Sequence, residues 1–152
     1  MATLFHVLAV EDDDADAQFI ERVGIQSPLV QSLRVLRNAE EAQVYLNGEE
    51  PYTDRLTFPM PNLILLDLKL RRTTGLELLR WIRQTPLLRS LSVVVLSGTA
   101  RASDLNRAYE LGIEAYIVKP VGLKEFSTTL TGVLVTLAGA AAATGKSPEN
   151  PN

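Results

Sequence analysis

Residues 63–69 read Leu-Ile-Leu-Leu-Asp-Leu-Lys, an unbroken apolar run that closes on one carboxylate, Asp67. Apolar residues in a row, with no polar alternation, describe a strand buried on both faces. The run at 4–10 ends in the same way, in Glu11-Asp12-Asp13-Asp14. Further strand candidates occupy 33–36, 93–96 and 115–118, the last two running into Ser97 and into Lys119-Pro120.

Helix-length amphipathic segments separate these runs. Ala15, Phe19 and Val23 recur every fourth residue, a helical stripe. Asn38 precedes Glu41 by three residues, a capping-box pattern, and Asn47-Gly48 stops that helix. Thr74 and Glu77 repeat the pattern; Leu78, Leu79 and Ile82 supply the apolar face and Pro86 the stop. Ser103 is predicted to cap a helix that runs to Leu111 and ends at Gly112. Leu123, Phe126, Leu130, Val133, Leu134 and Leu137 fall on one stripe of a long last helix. Residues 49–61 hold Pro51, Pro59 and Pro61 and read as a loop. The order is (βα)5, an α/β fold with a doubly wound, five-stranded parallel sheet. One domain is expected over 1–138, followed by a flexible tail over 139–152.

Composition narrows the chemistry. The chain has 152 residues, and at this length a domain hides roughly 70% of the surface its unfolded chain exposes. With no cysteine, thiol catalysis and zinc ribbons are out; with one histidine, so are multi-histidine metal sites. A net charge of −3 argues against a general nucleic-acid binder. The apolar stretch from 130 to 143 is shorter than the roughly 20 residues a bilayer span needs, and no basic signal segment opens the chain. A cytoplasmic protein without a membrane partner is expected.

In a doubly wound sheet, ligands sit outside the carboxyl ends of the strands. There Glu11, Asp12, Asp67, Ser97 and Lys119 should converge. Three carboxylates would repel unless a cation neutralises them, and an all-oxygen site without histidine or cysteine suits Mg2+. One Mg2+ and Lys119 would balance the three acids.

Val10-Glu11-Asp12, Leu65-Leu66-Asp67-Leu68-Lys69, Val95-Leu96-Ser97 and Lys119-Pro120 together resemble the receiver domain of two-component response regulators, over about residues 4–137. The resemblance implies a flavodoxin-like receiver fold with Asp67 as phospho-acceptor. It implies Mg2+ on Glu11, Asp12, Asp67 and the backbone carbonyl of Lys69. Lys119 and Ser97 would stabilise the phosphoryl group, and Tyr116 would act as a switch residue moving inward behind Ser97. The implied partner is a sensor histidine kinase. The long proline-rich loop narrows the resemblance to the single-domain regulators that partner bacterial phytochrome kinases. Arg71 stands where a proline is common, Thr74 where an aspartate is frequent before Gly75, and Gly122 where an aspartate often caps the last helix.

Simpler roles accompany these. Asp13, Asp14 and Asp16 read as a solvated helix start. His6 reads as packed or edge-exposed, and Trp81 as a packing or contact residue. Gly145-Lys146-Ser147 imitates the end of a phosphate-binding loop, but Ala140 stands where glycine is needed. A haloacid dehalogenase-type phosphatase would need a second aspartate where Lys69 stands. The alternative is a pseudo-receiver, a binding module that is never phosphorylated. The protein is expected to be no enzyme beyond its own phosphorylation and dephosphorylation, to leave no room for a DNA-binding domain, and to form a homodimer through apolar residues beyond Leu130.

Overall fold

The computed structural model describes residues 4–98 and 101–144, and strands alternate with helices throughout. The elements are β1 (Phe5–Val10), α1 (Asp14–Gln26), β2 (Val30–Leu36), α2 (Ala39–Asn47), β3 (Leu63–Asp67), α3 (Gly75–Gln84), β4 (Ser92–Ser97), α4 (Ala102–Leu111), β5 (Ala115–Val118) and α5 (Leu123–Thr144). The strands form one parallel sheet in the order β2-β1-β3-β4-β5. The winding direction reverses between β1 and β3, which opens a crevice at their carboxyl ends. Val10 pairs with Leu66, so Glu11 and Asp67 flank that crevice from adjacent strands.

Because side chains alternate across a strand, the continuous apolar runs feed two cores. Leu8, Val10, Ile64, Leu66, Val93 and Val95 face α2, α3 and α4, where they meet Leu46, Leu78, Leu79 and Ile82. Val7, Ala9, Leu63, Leu65, Val94 and Leu96 face α1 and α5, where they meet Ile20, Val23, Phe126, Leu130 and Leu134.

Several boundaries differ from the sequence reading. The edge strand β2 starts at Val30 rather than 33, because pairing to β1 recruits residues whose own polarity hides their strand character. Helix α4 starts at Ala102, with Arg101 at the N-cap and no side-chain cap bond. Ser103 therefore lies inside the first turn and is not the cap that was predicted. Helix α5 continues to Thr144, so residues 139–144 of the expected tail are helical; 145–152, including Gly145-Lys146-Ser147, lie outside the described residues. The Thr74–Glu77 capping box is complete in both directions. At α2 only half of the box forms: Asn38 accepts from the Glu41 amide at 2.7 Å, while the Glu41 carboxylate accepts from the Tyr52 hydroxyl at 2.6 Å.

That last bond belongs to a strap that pins the proline-rich connection. The Tyr52 ring lies 4.9 Å from Tyr45, tilted to it, and meets Phe58 edge-to-face at 5.1 Å, and the Arg34 guanidinium lies 4.7 Å above the Phe58 ring. Arg55 donates to the carbonyls of Tyr45 and Leu46 at 2.8 and 3.2 Å, satisfying the last turn of α2. Gly48, at φ 68°, takes the left-handed turn that a side chain would resist. His6 lies half-buried within β1, its Nδ1 2.7 Å from Ser32 Oγ, and Trp81 packs partly buried against the α2–α4 core.

Candidate functional site

At the carboxyl edge of the sheet Glu11, Asp12, Asp67 and Lys119 come together, and Ser97 ends the neighbouring strand β4. Glu11 is 1% exposed, and its amide donates to the Leu36 carbonyl as an extension of the β1–β2 ladder. Asp67 is the buried last residue of β3, and Ser97 the buried last residue of β4. The Lys119 amide donates to the Ser97 carbonyl at 2.7 Å, which carries the β4–β5 ladder on to the lysine.

The Lys119 ammonium is the hub. Nζ lies 2.6 Å from Glu11 Oε1, 2.8 Å from Asp16 Oδ2 and 3.1 Å from Asp67 Oδ2. The sequence predicts Asp16 to be part of a solvated helix start; in the structure its side chain instead turns inward to share the lysine. The reason is helical geometry. Asp13 is the N-cap and accepts from the Asp16 amide at 2.9 Å, which sets Asp16 on the side of α1 that faces the crevice. Asp14 keeps the role expected of it, exposed and paired with Arg37 at 2.7 Å. A charged residue in the first helical turn four positions beyond Asp12 was the only signal in the chain for Asp16, and it is also what an ordinary helix start looks like.

Glu11, Asp12 and Asp67 each present a carboxylate oxygen within 4.8 Å of the others, a group able to hold a metal ion. The electrostatics show what this costs. Burial, hydrogen bonding to Asp67 and its charge push the Glu11 carboxyl up to about 8, against the opposing pull of Lys119. Burial also works against charge on Lys119, but Asp16, Glu11 and Asp67 outweigh it and raise its pKa. Glu11 Oε1, though in ion contact with Nζ, is buried with no bond of hydrogen-bonding geometry. An acidic, oxygen-only cluster in which three carboxylates approach one another fits a hard divalent cation.

The loop after β3 is held over this cluster by alternate amides. The Lys69 amide donates to Asp67 Oδ1 at 3.0 Å, that of Arg71 to Asp12 Oδ2 at 3.2 Å, and that of Thr73 to Glu40 Oε1 at 3.3 Å. Arg71 also sets its guanidinium 3.9 Å from Asp12, an exposed contact. Arg72, between these amides, has φ 63°, an unusual conformation for a residue with a side chain. Gly75 closes the loop by donating to the Leu68 carbonyl at 3.0 Å. A Cβ there would overlap the Asp67 carbonyl oxygen and approach Leu68 Cα to 2.5 Å. Its need for glycine is therefore one of space rather than of φ, and nothing local in the sequence signals it. Tyr116, half-buried on β5, packs against the α2–α4 core next to the same edge.

Residues 7–131 match the family described as the response regulator receiver domain. Response regulator Rcp1 of Synechocystis sp. is 35% identical over 127 residues, covering 84% of each protein. Among solved structures, the phosphorylated cyanobacterial phytochrome response regulator RcpA superposes with a TM-score of 0.78 at 32% identity, over 86% of this chain and 91% of that one. The Mn2+-bound form of Rcp1 gives the same TM-score at 33% identity, over 88% of this chain and 94% of that one. Five parallel strands and five helices are common to the receiver fold. No helix among the described residues is long and apolar enough to cross a membrane.

Proposed function

The chain belongs to the response regulator receiver domain family, and from that premise we propose that Asp67 accepts a phosphoryl group from a sensor histidine kinase, in a reaction that requires Mg2+. The observation that carries this is the convergence of Glu11, Asp16 and Asp67 on the Lys119 ammonium, beside the carboxylate trio of Glu11, Asp12 and Asp67. Such an arrangement supports reading Asp67 as the nucleophile, Lys119 as a fixed cation and the carboxylate trio as a seat for a second cation.

Asp67 is held for attack by the Lys69 amide and by Lys119. An Asp67 oxygen forms a bond to phosphorus as the phosphohistidine N–P bond breaks, and the imidazole leaves with the electron pair and takes up a proton. Glu11, Asp12, Asp67 and the Lys69 carbonyl are the residues that would hold Mg2+, which supplies charge neutralisation to the transferring oxygens when bound. Lys119 neutralises the same oxygens from the other side. The Ser97 hydroxyl donates to a phosphoryl oxygen, and Tyr116 moves inward behind the shifted loop after β4. With Lys69 in place of a second acid, the site takes a phosphoryl group and does not turn over phosphomonoesters.

The similarity to a cyanobacterial phytochrome response regulator supports a light-sensing kinase as the partner. The exposed Val135, on α5 beyond Leu130, supports a homodimer through the apolar residues of that helix. Neither nucleic acid nor a membrane is a partner in this reading, the protein is cytoplasmic, and residues 1–138 act as the receiver unit.

Intact mass after incubation with acetyl phosphate and Mg2+ tests the central claim. One phosphoryl-sized increment is expected, dependent on Mg2+ and absent from Asp67→Asn. A folded protein that gains nothing would instead be a binding module whose acidic cluster serves structure alone.

A further inference from the structure

A groove of about 660 Å3 lies between the first halves of α3 and α4, open on one side to solvent. Its walls are two helical rows of equal spacing: Thr74, Glu77 and Arg80 on the α3 side, and Arg101, Asp104 and Arg107 on the α4 side. Residues three apart share a helix face, so each row presents its charges along the trough. Leu68 and Leu70, both buried, and the half-buried Leu76 form an apolar floor. Lys69 and Arg71, from the loop after Asp67, join the lining.

The charge of this groove runs against that of the chain. Five cationic and two acidic side chains line it, in a protein whose net charge is −3. One of the two acids, Glu77, is committed to the capping box of α3. Cations clustered beside a low-dielectric floor focus a positive potential. The α4 end adds to it, since its N-cap residue Arg101 carries no side-chain acceptor for the first-turn amides.

We propose that this groove docks an acidic, extended segment of a partner protein. Carboxylates of that segment pair with Arg80 and Arg107, and an apolar residue between them rests on the leucine floor. Three features favour a peptide over a small anion. The trough is open rather than enclosed, its guanidinium groups are spread along two helices rather than gathered at one point, and its floor is apolar. Guanidinium forks match carboxylates two bonds at a time, which gives such a segment a register. Lys69 and Arg71, from the loop after Asp67, border both the groove and the crevice, whereas Arg80 and Arg107, which make the pairs, are not among the site residues around Lys119.

The test is an amide-resolved NMR titration of the full chain with an octapeptide probe of glutamates interrupted by two leucines. In parallel, inorganic tripolyphosphate is titrated. Shifts confined to the α3–α4 groove are expected, with affinity that falls as salt rises. The double variant Arg80→Glu/Arg107→Glu should weaken binding by about tenfold or more, and Arg80→Gln/Arg107→Gln by less. Circular dichroism and acetyl phosphate labelling of both variants report that fold and acceptor chemistry are intact. Shifts scattered over the surface, or unchanged affinity in the charge-reversed variant, overturn the proposal. Tripolyphosphate filling the groove while the peptide does not bind overturns it too, and assigns the groove to small anions.

Discussion

Around Lys119, three carboxylates crowd one ammonium at the carboxyl edge of the sheet and a fourth, Asp12, lies beside two of them; around Tyr52, three aromatic rings and two guanidinium groups fold a proline-rich connection onto α2. Both regions bury polar groups, but they satisfy them differently. In the strap each polar group found a partner: the Tyr45 hydroxyl donates to the Pro59 carbonyl at 2.8 Å, the Tyr52 hydroxyl to Glu41, and Arg55 to the end of α2. In the crevice the carboxylates outnumber the cation, and Glu11 is pushed toward protonation. Buried charge without full compensation destabilises a fold, whereas ring packing stabilises it. The strap is thus read as serving stability, and the crevice as carrying strain that an incoming cation relieves.

The largest effect should separate the two outright. Asp67→Asn is expected to abolish phosphoryl labelling while leaving the melting temperature unchanged or higher; mass spectrometry and thermal melts on one sample check both. Tyr52→Ala should do the converse, costing about 3 kcal/mol in denaturant unfolding, with labelling by acetyl phosphate retained at temperatures where the variant is folded. If Tyr52→Ala instead silenced labelling in folded protein, the two regions would be coupled.

Gly75→Ala lies between them, because its methyl group would strike the backbone of Asp67 and Leu68. It should cost about 2 kcal/mol and slow labelling of Asp67 together, read from melts and labelling rates. Asp12→Asn removes one charge from the crevice. It should stabilise the cation-free protein by about 1 kcal/mol and erase the rise in Tm that Mg2+ gives the wild type, as followed by thermal shift. Equal Mg2+ stabilisation in that variant would remove Asp12 from the cation's seat.

The smallest effect is confined to alkaline pH. The hydrogen bond to Glu41, followed by burial, pushes the Tyr52 phenol up to about 12. Its folded pKa lies above the unfolded value near 10, so its contribution is complete below about pH 10 and disappears as pH rises toward 12. Tyr52→Phe should lose about 1 kcal/mol at neutral pH and narrow its gap from wild type over that window, by denaturant unfolding at a series of pH values. Ultraviolet titration of the phenols should lose its latest-titrating component in the same variant.

Much of this is legible in the sequence itself. The run 63–67, with its apolar residues on both faces, states a central strand because a parallel sheet covered by helices leaves no polar side. The Thr74–Glu77 box and the Asn47-Gly48 stop are local devices, and local devices are written in neighbouring residues. Asp67 and Lys119 were legible for another reason: topology carries every strand's carboxyl end to one edge, so residues found there must meet.

What tertiary structure alone decided depends on approach through space. Asp16 joined the crevice because the cap at Asp13 rotates it inward, although its surroundings in the chain are those of a solvated helix start. The cap expected at Ser103 falls instead at Arg101, a residue whose side chain gives no local signal for it. Gly75 is required by backbone eight residues earlier, and the strap by rings drawn from a helix and from a loop that reads only as prolines. Periodicity and capping act over a few residues and are therefore sequence properties. Contact between distant side chains is fixed only when the sheet has set their positions, and it is there that the charge balance of the crevice was settled.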